Sequence, residues 1–443
     1  MRALALASLL LIGSPAMGQI TLPPVRLPQL PPVALPDLPA TGVPLDVGKS
    51  AAALAGEVDP RRLRELRVLR IRDLLRRHRD VLEADPHGAP VVRGEVLALA
   101  PSAAALQAAR EAGFTVLREQ SLGDSGPRVV VLHVTGKTAR ALARLEALDP
   151  NGVYDFNHVY ADSGVVLGST AVSAEPPPGS APHQDEEHGA VRVGLIDSGV
   201  DVTHEVFSGI AIVRHGCAAA VPAEHGTAVA SLMVGRASAL HGAAPGSALY
   251  AADVFCGLPT GGAVDAVAEA FGWLLQERVP VINVSLVGPP NRLLEHVVSE
   301  VLARGHLIVA AVGNDGPAAP PLYPAAWPGV IGVTAVDARQ RVLVEAERGP
   351  QVKFAAPGAD MAAAAPRQAY VLVRGTSFAS PLVAGLLALE LPSTDGDAPQ
   401  RAVAALAARA LHKGAAGLDP VYGYGVVGLE LRRQPALARL GAD

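Results

Sequence analysis

VRVGLIDSGVD, residues 191–201, is an apolar run that stops on an acid and a glycine turn. It lacks the polar alternation of a strand wetted on one face, so it reads as a strand buried on both faces. Three further runs share that character: ALYAADVF (248–255), VPVINVSL (279–286) and HLIVAAVG (306–313). Between them, AVDAVAEAFGWLLQER (263–278) and NRLLEHVVSEVLARG (291–305) repeat apolar residues at helical spacing. Buried strands alternating with helices imply an α/β fold, a mostly parallel sheet with helices on both faces. Sheets of this kind carry their chemistry at the carboxyl ends of the strands.

Those ends carry polar residues. Asp197 closes the first run, Asn283 and Ser285 close VINVSLVG (281–288), and Asn314 follows IVAAVG (308–313). EHGTAVASLMVG (224–235) opens a helix near His225, and RGTSFASPLVAG (374–385) opens another at Ser377. Taken singly, each has a plain structural reading: a turn aspartate, a satisfied histidine, a serine cap. Together they supply the parts of acyl transfer. A serine attacking a carbonyl needs a base, the base needs a buried carboxylate to orient it, and the oxyanion needs donors.

The order Asp197, His225, Ser377 and the surrounding motifs resemble the subtilisin-type serine proteases, the subtilases. VGLIDSGVD resembles that family's aspartate motif, HGTAVASLMVG its histidine motif and GTSFASPLVAG its serine motif. AAVGNDG (310–316) is similar to the stretch that holds the oxyanion asparagine. GAAPGSALYAADVF, YPAAWPGVIGVTAVD, VKFAAPG and GLDPVYGYGVVGLE also match in kind and order, so the resemblance covers about 190–430. It implies that Ser377 is the nucleophile, His225 the base and then acid, and Asp197 its orienting carboxylate. The Asn314 amide and the Ser377 N–H would bind the oxyanion. Ser377 in the first turn of a helix suits negative charge, and Pro381 is expected at an early helical position where no backbone donor is needed.

The resemblance also implies a peptide held as an added strand. Its walls would be GLPTGG (257–262) on one side and Ser285, Leu286, Val287 and Gly288 on the other. Ala311, Val312, Gly313 and Leu322 would line the first pocket. No carboxylate stands out there, which predicts apolar residues before the scissile bond. Val287 replaces the family's usual glycine and is expected to narrow the groove. Ala228, Ser231, Phe378, Ser380 and Leu382 also depart from the family's usual residues, and none is expected to touch a catalytic group. A catalytically silent peptide-binding protein on the same fold is the competing reading. The resemblance calls for no cofactor in the chemistry, and no motif marks the loop calcium sites found among such proteins.

The 443-residue chain has room for two domains and tails. Its net charge of −5 gives no general attraction to nucleic acid. MRALALASLLLIGSPAMG (1–18) reads as a secretory signal, which implies a secreted or periplasmic protein. No later stretch is long and apolar enough for a stable membrane anchor. Residues 19–48 are a proline-rich spacer. An arginine-rich helical segment occupies 49–90, opening at Asp59-Pro60, and its basic face is expected to be solvated. Residues 91–160 read as strand, helix, two strands, helix, strand, a small ferredoxin-like α+β module. NHVYADS (157–163) resembles the end of a subtilase propeptide, implying cleavage after Tyr160 and inhibition by the module. Residues 161–190 read as a linker, 191–432 as the catalytic domain and 433–443 as a tail. Cys217 and Cys256 are compatible with one disulfide or with two free thiols.

Overall fold

The computed structural model describes residues 60–123, 126–170, 191–238, 240–391 and 393–432. The signal, the proline-rich spacer, Asp59, residues 171–190 and the tail lie outside the described residues. Every strand-like run becomes a strand. The main sheet has seven strands in the order Val352–Pro357, Ile331–Val336, Leu307–Ala311, Val281–Val284, Arg192–Asp197, Ala248–Asp253, Ile212–His215. Every neighbouring pair in it is parallel. Consecutive side chains enter opposite cores. Leu195, Val281 and Val309 pack with the helices Glu224–Val234 and Thr376–Glu390. Ile196, Ile282 and Ile308 pack with Val264–Gln276 and Arg292–Ala303. Both faces are dry, which is why the sequence shows no alternation.

The module preceding it follows the expected order. Its strands lie Val153–Asp162, Pro90–Leu99, Arg128–His133, Thr115–Ser121, all antiparallel. The helices Ala103–Glu111 and Thr138–Leu148 cover one face around Val96, Phe114, Leu132 and Leu145. Ser102 caps the first of them, accepting from the Ala105 N–H at 3.0 Å. The opposite face, with Leu97, Val129 and Val131, joins the core formed by Val264–Gln276 and Arg292–Ala303. The module thus has no free sheet face.

Polar contacts fix this docking at two helix starts. Asp155 accepts from the backbone N–H of Arg292 at 2.6 Å, satisfying a donor that a first helical turn leaves unpaired. Asn291 donates to the carbonyl of Phe156 at 2.9 Å. Asn157 and Arg118 both donate to Asp265, at 2.8 and 2.6 Å.

Two boundaries differ from the sequence reading. The strand Val153–Asp162 runs past residue 160, and Gly164–Thr170, expected as linker, is a strand against Ala369–Gly375. Val165, Val166 and Leu167 suit a strand, but glycines and small polar residues leave the apolar run only three residues long; the open edge of a neighbouring hairpin supplies the pairing. The arginine-rich helix, Pro60–Arg77, is not simply solvated. Leu63, Leu66 and Ile71 face a cavity of about 330 Å³ whose other wall is the segment 161–165. Arg67 pairs with Asp315 of the catalytic domain.

Candidate active site

Asp197 is the last residue of its strand and is fully buried. Its Oδ1 accepts from the Ser198 N–H at 2.7 Å and lies 2.8 Å from Nδ1 of His225. Ser198 Oγ accepts from the Gly226 N–H at 3.1 Å, tying the start of the histidine helix to the aspartate strand. His225 is the second residue of Glu224–Val234, and Ser377 the second of Thr376–Glu390. Asn314 follows Leu307–Ala311, and its Oδ1 accepts from the Thr376 N–H at 3.1 Å. Its Nδ2 is buried with no hydrogen-bond partner. The four residues singled out in the sequence therefore come together at the carboxyl edge of one sheet.

The nucleophile is not in hydrogen-bond sequence with the base in this state. Ser377 Oγ donates to the Ser285 carbonyl at 3.2 Å and contacts Ser163 Oγ at 2.5 Å, while Nε2 of His225 has no partner. The reason is that the chain's own segment fills the site. Val159 and Tyr160 pair with Ala263 and Gly262, and Ala161 and Asp162 pair with Val287 and Leu286, both antiparallel. Tyr160 is fully buried against Gly288, its hydroxyl donating to the Pro289 carbonyl at 2.7 Å. The carbonyl of Ser163 and Nδ2 of Asn314 converge on the Cα of Gly375. A Cβ built there would stand 3.1 and 3.2 Å from them. The bond nearest Ser377 is thus Ser163–Gly164, three positions beyond the one after Tyr160 that the sequence reading expected to be cut. A propeptide-like motif gives no register; pairing with Leu286–Val287 does.

Several other expectations change. Ser285 was a groove-lining candidate, but its hydroxyl supports the serine helix, donating to the Ser377 carbonyl at 3.0 Å and accepting from Asn283 at 2.8 Å. Pro381 is the sixth helical residue, not an early one, and its missing N–H would have bonded that same carbonyl. Ser285 replaces the lost donor. Leu286, Val287 and Gly288 do form the wall, and buried Val287 is accommodated opposite the small Ala161. Ala311, Val312 and Gly313 are fully or largely enclosed, and Leu322 Cδ1 abuts Gly313. A carboxyl is present there after all. Glu347 is 1% exposed, and its Oε1 lies unpaired beside Gly313. Burial, aided by Asp315, pushes it up to about 9, so it is a neutral acid at pH 7. Nothing in the sequence separated Glu347 from ordinary surface acids. Finally, Phe378 does touch a catalytic group: its ring centroid is 5.2 Å from that of His225.

Burial lowers the His225 pKa, but Asp162 and Asp197 together outweigh it and push it up to about 9. Asp162 is itself pushed up, by burial first and by Asp197, with His225 opposing. The carboxylate two residues before the presented bond therefore helps hold the imidazole in its charged form.

The subtilase family profile matches residues 188–425, more than half of the chain. The chain belongs to the subtilase family. Subtilisin DY of Bacillus licheniformis is 33% identical over 210 residues, covering 45% of this chain and 76% of that protein. The minor extracellular protease Epr of Bacillus subtilis is 27% identical over 244 residues, 54% of this chain and 37% of Epr. Among solved structures, fervidolysin from Fervidobacterium pennivorans, a keratinolytic enzyme related to subtilisin, superposes with a TM-score of 0.63. That match has 21% identity and covers 77% of this chain and 61% of fervidolysin, so it speaks for the fold. This subtilase spans only part of Epr and of fervidolysin. Its Cys217 and Cys256 form a disulfide, closing the alternative of free thiols. No helix among its described residues is long and apolar enough to cross a membrane.

Proposed function

We propose that this protein is an exported serine endopeptidase, made as a precursor that cuts itself between Ser163 and Gly164. Ser377 attacks the Ser163 carbonyl while His225 takes the hydroxyl proton, its tautomer held by Asp197. The Asn314 amide and the Ser377 N–H stabilise the oxyanion. His225 then protonates the departing amine of Gly164, and water releases the acyl group by the same route. Protein groups carry every step, and no cofactor is called on. The ferredoxin-like module is the propeptide: it blocks the groove and remains docked through helix starts and Tyr160. Polypeptides bound in the same extended manner are the substrates.

One observation carries this reading: Ser163 lies against the nucleophile, hydroxyl to hydroxyl at 2.5 Å, and its carbonyl and the Asn314 amide both approach Gly375, two residues before Ser377. A silent peptide-binding protein has no use for a buried, unpaired donor such as Asn314 Nδ2 at this spot. The disulfide supports an oxidising compartment, in keeping with the signal-like leader. The test is expression of the full chain beside Ser377→Ala. The parent should yield a fragment beginning at Gly164 and react with a serine-directed phosphonate. The variant should stay whole and unlabelled, a loss of about 10⁶ in turnover on the scale known for a subtilisin. Maturation of the variant expressed alone would remove self-cleavage from the account.

A further inference from the structure

We propose that Phe378 restricts this enzyme to bonds followed by glycine. The proposal rests on the proteolytic reading above and adds a substrate class to it. Gly164, the residue after the presented bond, pairs with Gly375 in the antiparallel ladder. It is gripped from two sides. A Cβ at Gly164 would stand 2.5 Å from Cε2 and 3.1 Å from Cζ of Phe378. A Cβ at Gly375 would stand 2.8 Å from the Cα of Gly164. Carbon atoms at rest keep about 3.5–4.0 Å apart, so neither place admits a methyl group without movement.

Gly164 is not demanded by its own backbone, because its φ lies outside the left-handed region where glycine is favoured. The ring is the reason for it. Phe378 is fully buried and leans on His225, so a larger residue at 164 can enter only by pushing that ring. Displacing the ring disturbs the general base as well as the packing. The restriction therefore falls on reaction as much as on binding. It is confined to one position, since the next residue, Val165, faces the cavity under the arginine-rich helix. The enzyme's substrates are extended polypeptides cut on the amino side of glycine.

The experiment expresses the full chain, lets it cut itself, washes the docked module away, and supplies peptides spanning residues 158–169 with glycine, alanine or leucine at the place of Gly164. The parent should favour glycine over alanine in kcat/KM by about 10–100-fold, the penalty of one overpacked methyl, and cut the leucine peptide least. Phe378→Ala should bring the glycine-to-alanine ratio close to one. Because the ratio compares two peptides on one enzyme, a general loss of activity in the variant does not obscure it. Within the precursor, Gly164→Ala should block self-cleavage, and adding Phe378→Ala should restore it. A parent that cuts both peptides within about threefold, or a ratio unchanged in Phe378→Ala, overturns the proposal. The phosphonate label carries no residue beyond the scissile position, so it separates the two readings. Labelling without glycine preference sinks this inference alone, whereas absence of labelling sinks the protease reading and this with it.

Discussion

Two strands meet at Ser163 and are held in opposite ways. Val153–Asp162 has neighbours on both edges at its end, Gly262–Ala263 and Leu286–Val287, and is anchored by buried Tyr160. Gly164–Thr170 has one neighbour, Ala369–Gly375. The two edges contribute only two residue pairs each, against six along Gly164–Thr170, so the difference in hold rests on the full burial of the Tyr160 ring. On the proposed function, the half before the cut bond is the one expected to stay as an inhibitor and the half after it the one expected to leave.

The largest test of that contrast concerns the donor at the cut. Asn314→Ala should slow self-cleavage by about 10²–10³, on the scale known for a subtilisin's oxyanion asparagine, followed as loss of intact precursor with time. Folding should be untouched, since only one bond, to the Thr376 N–H, is lost. Next comes the anchor. Tyr160→Ala should weaken retention of the cut module by about 10²-fold, as expected for emptying an aromatic site, measured by co-purification and by the inhibited fraction after cleavage. If the module stays bound equally well, the two-edged pairing alone holds it.

The pH dependence sharpens the comparison further. In the uncut chain His225 is held charged to about 9, and only the neutral form serves as a base. Self-cleavage should therefore speed up as pH rises toward 9. Asp162→Asn removes one of the two carboxylates and should move the midpoint to lower pH, a gain at pH 7 of about tenfold per unit moved. The smallest effect belongs to Glu347. Its folded pKa, about 9, exceeds its ordinary 4.5. The folded state keeps a proton that the unfolded chain releases, so the associated stability is full below about 4.5 and is lost as pH rises toward 9. Glu347→Gln should thus gain on the parent in melting temperature as pH rises from 5 to 9, by roughly 2–4 °C for each kcal/mol of linkage the parent loses.

Much of this was legible in the chain. The four buried runs, Asp197 and Asn314 near strand ends, and His225 and Ser377 at helix starts follow from apolar pattern and motif spacing, which are local properties. The module's strand and helix order was legible for the same reason. What was missed is pairwise. Gly164–Thr170 is a strand because an edge awaits it, Pro381 is tolerated because Ser285 faces it, and Glu347 is neutral because the fold closes over it. Pro381 and Glu347 have no signal within their own neighbourhood, and Val165, Val166 and Leu167 make a run too short to declare a strand without its partner.

By itself the sequence determined the parallel α/β architecture through its hydrophobic periodicity, and pointed to the family and the candidate reacting groups through the resemblance of its motifs, because both kinds of signal survive without knowledge of contacts. Only the tertiary structure decided which bond is offered to Ser377, which residues narrow the site after it, and what the arginine-rich helix covers. Strand register, ring packing and ion pairs such as Arg67–Asp315 join residues far apart in the chain, and their energies exist only once those partners are brought within a few ångströms of each other.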